Sequence, residues 1–246
     1  MLNIKSDRQH FRKNARERAK EVLRELYDYL GRPDTETFYP VRLDEYVRNV
    51  LGWELNETPF IVQAKYGDLY TGEPVLGEVD MEKKLISIKM EDTFKGDRNY
   101  TLAHEIGHII LHHSTLSCGG GAAFRKQSIR KLKFGNSDPS VRIVEREADV
   151  FAAELLMPER AVRKQFQSIF DQDRIRSQSP LVNRLCDNEE IGQTRRRFRV
   201  DQSNPLNVAR YLVTYRASGE KRTLIEFFGA SVAAMSYRLT ELDLVF

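Results

Sequence analysis

From Asp7 to Leu30 the apolar or small positions Phe11, Ala15, Ala19, Val22, Leu23, Leu26, Tyr27 and Leu30 recur at spacings of three and four. That period predicts an amphipathic helix, ended by Gly31 and Pro33. A shorter helix is expected from Arg42 to Leu51, with Leu43, Tyr46, Val47 and Val50 on one side and Gly52 as its stop. Between Pro59 and Met90 the pattern changes to short apolar runs broken by turn residues: FIVQA, YGDLYTGEP, VLGEV, DMEKK and LISIKM. These predict a small, mostly antiparallel sheet.

Helical spacing returns from Arg98 to His113 and again from Val141 to Met157, where Val144, Ala148, Phe151, Ala152 and Leu155 form one face. Between them, Ser114 to Ser140 reads as a loop containing Gly119, Gly120 and Gly121. The triplet lacks the following Lys and Ser/Thr of a phosphate cradle, so nucleotide binding is not expected. A further helix should reach Phe170. Asp171 to Pro205 is polar and carries the run Arg195, Arg196, Arg197, Phe198, Arg199. The last forty positions turn helical again, with Ser231 as N-cap for Val232 to Leu242.

The 246 residues, 41% hydrophobic and 30% charged, can bury a core large enough for a rigid site. Lys and Arg number 39 against 36 Asp and Glu, so net charge makes no case for nucleic acid or an anionic membrane. Cys118 and Cys186 form no CxxC pattern, and the first ten residues lack the apolar core of a signal peptide. No apolar stretch approaches a membrane span. A cytoplasmic location is expected.

Histidine changes the picture. Of five, His104, His108, His112 and His113 fall within ten residues, and the first two frame HEIGH, an HExxH motif inside a predicted helix. Residues four apart share a helix face at about 5–6 Å, so two imidazoles can reach one metal ion at about 2.0–2.1 Å. Glu105 stands about a quarter-turn away, where its carboxylate suits a general base acting on water. Catalytic zinc usually takes a third protein ligand. His112 follows His108 by one turn, yet three ligands along one straight helix close a tetrahedron poorly. The stronger source is the acidic group within VEREADVFAAELLMP. Glu145 and Asp149 share a face there, so Glu145 can ligate while Asp149 holds a ligating imidazole by its other ring nitrogen.

HEIGHIILHH followed by EREADVFAAELLMP resembles the ImmA/IrrE family of bacterial and phage-borne metallo-endopeptidases, and the tail FFGASVAAMSYRLTELDLV is similar to the segment after LLMP in that family. The resemblance covers 59–159 and 224–245. It implies an α+β, zincin-like fold of the gluzincin kind, with a small sheet, a helix bearing HExxH and a helical C-terminal segment. By position it implies Zn2+ held by His104, His108 and Glu145, with Glu105 as base. It also implies a protein substrate, namely a transcriptional repressor or antitoxin-like regulator, often in stress responses.

The expected division is 1–170 as metallopeptidase domain with N-terminal helices, 171–205 as polar insertion or linker, and 206–246 as a helical, helix-turn-helix-like segment. An extended substrate would add along a sheet edge at Leu85 to Met90. The competing reading is a DNA-binding or sensory regulator on a metallopeptidase-like scaffold without proteolysis. Its support is the spacing from Leu224 to Leu242 and the Arg195–Arg199 run. The apolar content of Val232, Ala233, Ala234, Met235 and Leu239 argues instead for packing.

Overall fold

The computed structural model describes residues 4–32, 39–59, 76–90, 95–111, 123–125, 139–187, 201–216, 219 and 221–246. The chain divides into two compact units, Met1–Leu156 and Met157–Phe246.

In the first unit the predicted N-terminal helix is α1, Ile4–Tyr29. Its three-and-four period buries Ala15, Ala19, Val22, Leu23, Leu26 and Tyr27 as one stripe. Gly31, at a φ of +63°, supplies the left-handed turn that ends it. Helix α2, Leu43–Glu45, runs on as a wider π-type turn, Tyr46–Val50, closed by Leu51 N donating to Tyr46 O at 2.9 Å.

Four strands follow in the order β1-β3-β2-β4: β1 Glu54–Thr58, β2 Gly77–Asp80, β3 Leu85–Lys89 and β4 Ala123–Arg125. β2 pairs antiparallel with β3 and β4, whereas β1 lies parallel to β3 with Glu54 opposite Leu85. The β2–β3 hairpin is the one the alternation predicts, and the Asp80 carboxylate accepts from Glu82 N and Lys83 N to hold its turn. Val79, Ile86 and Ile88 are buried on the face that packs on α3, Lys95–Ile110.

One strand precedes the expected stretch, and two expectations change. β1 has the sequence ELNET, with no apolar alternation; its pairing with β3 makes it a strand. β4 falls in the stretch expected to be a loop. Leu85 to Met90 offers no free edge, because β3 is an inner strand hydrogen-bonded on both sides. A substrate strand therefore cannot add there. The FIVQA and YGDLYTGEP runs, 60–64 and 66–74, lie outside the described residues.

Helix α4, Pro139–Leu156, completes the unit and packs against both α1 and α3. Its predicted apolar face is buried from Val144 through Ala148, Phe151 and Ala152 to Leu155.

The second unit contains α5, Glu159–Phe170; α6, Pro180–Asp187; α7, Pro205–Leu212; α8, Leu224–Phe228; and α9, Val232–Glu241. Within the polar stretch, Ile175 and Val182 are buried, and Ile175 bridges to Val245. Residues 188–200, which include the Arg195–Arg199 run, lie outside the described residues. The predicted cap is present: Ser231 Oγ accepts from Ala234 N at 3.2 Å. α8 opens with a capping box between Thr223 and Glu226. On α9, Arg238 is 2% exposed, donating from Nε to Met157 O at 3.0 Å and from Nη1 to Glu241 at 2.9 Å.

Candidate metal centre

The first turn of α3 is anchored by Arg98. Its guanidinium grips the Asp44 carboxylate with two bonds at 2.9 and 3.0 Å and also donates to Glu57, tying α3 to α2 and β1. From that anchor the helix turns residues 101–108 wholly into the interior. His104 and His108 follow one another on a single face, their rings edge to face at 4.8 Å.

Helix α4 brings the acids to them. Glu145 Oε2 stands 3.2 Å from His104 Nε2, and its Oε1 is 3.5 Å from His108 Nε2. The two Nε2 atoms are 3.1 Å apart. One turn along, Asp149 Oδ1 meets His104 Nδ1 at 3.0 Å. A carboxylate only accepts, so His104 donates from Nδ1 to Asp149, and its Nε2 faces His108 and Glu145.

These distances test the fit of a metal. Donors of a tetrahedral zinc site, each about 2.0–2.1 Å from the ion, stand about 3.3 Å from one another. The three separations of 3.1, 3.2 and 3.5 Å bracket that value. His104, His108 and Glu145 are 1%, 0% and 6% exposed. Two imidazoles and a carboxylate buried together are costly without a shared ligand or proton. Nitrogen and oxygen donors converging in this way fit a divalent cation.

Glu105, 0% exposed, belongs to the same turn of α3 as His104 and lies beneath β2, where Gly77 leaves room for its carboxylate. The closeness of α3 and α4 depends on Gly107. A Cβ there would lie 3.1 Å from Phe151 Cδ1 and 3.2 Å from Ala148 Cα.

Of the five residues singled out by sequence, His104, His108, Glu145 and Asp149 are joined by contacts of 3.0–3.5 Å, and Glu105 is buried on the same turn of α3, against Gly77 of β2. Sequence reasoning missed three others: Gly107, Gly77 and Tyr100. Tyr100 precedes His104 by one turn and donates its hydroxyl to Asp149 O at 3.3 Å and Oδ1 at 3.4 Å. The i, i+4 spacing to His104 was the available signal. His112 and His113 lie outside the described residues.

The family model of the IrrE N-terminal-like domain, a peptidase family, matches residues 48–201. The chain belongs to this family. No curated relative matches it. The IrrE-like match spans the sheet, α3 and α4, and so contains every residue of the cluster; it also takes in α5 and α6. IrrE-like membership makes this a metallopeptidase-like domain, and a peptidase family implies a protein substrate. Among the described residues, no helix is long and apolar enough to cross a membrane.

Proposed function

We propose that the protein is a zinc-dependent endopeptidase that cleaves a regulatory protein, a transcriptional repressor or antitoxin-like regulator. In this reading His104, His108 and Glu145 hold the metal, Asp149 orients His104, and Glu105 is the general base. The observation that carries it is the convergence of two imidazole nitrogens and one carboxylate within 3.1–3.5 Å, beside a fully buried glutamate.

Bound zinc supplies Lewis acidity, which acidifies water toward a pKa of about 7 and polarises a peptide carbonyl. Glu105 takes the proton of the attacking water and delivers it to the departing amine nitrogen. Asp149, by accepting from His104 Nδ1, keeps the Nε2 lone pair directed into the site. Tyr100 holds Asp149 in turn. A regulator as substrate is supported by the ImmA/IrrE resemblance of HEIGHIILHH and EREADVFAAELLMP, and a cytoplasmic setting by the sparing use of cysteine, with Cys118 and Cys186 far apart in sequence.

The test is digestion of a proteome-derived peptide library by zinc-loaded wild type and by Glu105→Gln, read by mass spectrometry. The wild type should yield new termini, and the variant should retain zinc while yielding none. Cleavage unchanged in Glu105→Gln removes Glu105 from the mechanism. A repressor or antitoxin encoded in an adjoining reading frame is the first intact substrate to try.

A further inference from the structure

Gly77 opens β2 directly above Glu105. A Cβ at this position would stand 2.5 Å from Glu105 Oε1, 2.9 Å from Glu105 Cδ and 2.8 Å from Thr101 Cγ2. Carbon atoms in good contact sit about 3.5–4.0 Å apart, so all three approaches are forbidden without movement. The backbone does not ask for glycine here. Left-handed φ values occur at Gly31, Gly52, Gly219 and Gly229, and Gly77 is not among these. An L residue could follow the strand; what excludes it is the space taken by the glutamate.

The strand cannot easily retreat. Gly77 is paired with Ile88, itself 1% exposed, and Lys89 N donates to Leu76 O at 2.9 Å just before it. Any added side chain therefore pushes on the carboxylate. The three nearest atoms belong to Glu105 and Thr101, and none to His104, His108, Glu145 or Asp149.

We propose that Gly77 is a positioning residue for the base: its bare backbone is a wall that sets where the Glu105 carboxylate lies, while leaving the metal ligands untouched. The catalytic consequence rests on the peptidase reading above, whereas the steric relationship does not.

Two experiments separate these parts. The first is thermal unfolding of metal-free protein in a Thr101→Ser background, which removes the second neighbour. Gly77→Ala should lower the melting temperature when Glu105 is present and far less beside Glu105→Ala. Equal losses in both backgrounds overturn the proposal. Should the Gly77→Ala protein fail to fold, recovery of folded protein with Glu105→Ala added is the supporting result.

The second uses zinc-loaded protein and a peptide that the wild type cleaves from the library. Gly77→Ala should cut kcat on the order of 100-fold, as a misplacement of about 1 Å does, with KM and bound zinc retained. Adding Glu105→Asp, which draws the carboxylate back by one methylene, should not lower kcat further. Wild-type turnover in Gly77→Ala, or the same fold loss from Glu105→Asp in both backgrounds, overturns the positioning role. A wild type that cleaves nothing refutes the peptidase reading, and the unfolding cycle still decides the steric one.

Discussion

His104 on α3 donates its Nδ1 proton across 3.0 Å to Asp149 on α4, so the same contact joins the two helices and leaves Nε2 facing His108 and Glu145. Asparagine at 149 could turn its amide nitrogen to Nδ1 and stabilise the opposite tautomer. Asp149→Asn should weaken zinc binding by roughly 10–100-fold, the usual cost of losing such a partner. Competition with a chromophoric chelator measures it, and unchanged affinity would deny Asp149 an orienting role.

Gly107 sets how near those helices come. A valine there must displace Phe151 or the backbone of Ala148, both within 3.2 Å of where its Cβ would stand. Overpacking of this kind costs about 1–3 kcal/mol, and it should also loosen zinc binding by moving Glu145 away from the imidazoles. Alanine is the milder case, since its better helix propensity returns about 1 kcal/mol. Denaturant melts and zinc titrations of both variants should rank wild type, Gly107→Ala, Gly107→Val in falling order. Tighter zinc binding in Gly107→Val would sink this account.

Tyr27 is 1% exposed, and burial pushes its phenol up to about 12 from an ordinary value near 10, against a smaller opposing pull from a hydrogen bond with Tyr39. Burial likewise raises Tyr46, with the Glu25 carboxylate adding to the effect. Because the folded values lie above the unfolded one, these phenols contribute fully below a pH of about 10 and lose their contribution as pH rises toward the folded values. The unfolding midpoint should therefore fall above about pH 10. Tyr27→Phe should flatten part of that fall, and an unaltered slope in the variant would assign the alkaline loss elsewhere.

Arg238 bears on the DNA-binding alternative. It occupies the helix that would have to read a groove, yet its guanidinium is 2% exposed and spent on Met157 O and Glu241. Arg238→Lys keeps the charge but loses the Nε donor, and should cost about 1–3 kcal/mol in unfolding experiments. Wild-type protein should show no saturable binding to random duplex DNA at about 0.1 M salt by fluorescence anisotropy. Tight, salt-dependent binding would restore the alternative.

The chain itself determined what is periodic and local. Three-and-four spacing gave α1, α3 and α4; alternation gave the β2–β3 hairpin; Ser231 gave a cap. The HExxH spacing sets His104 and His108 on one face because helix geometry alone does so, and the same holds for Glu145 with Asp149. Tertiary structure decided what depends on distant partners. ELNET became a strand only because β3 lies beside it, and β3 ceased to be an edge for the same reason. It also decided that the two pairs of site residues meet, 41 and 45 positions apart along the chain, at hydrogen-bonding distance. Glycines 77 and 107 look unremarkable in one dimension because what they leave out matters only once another element occupies that space.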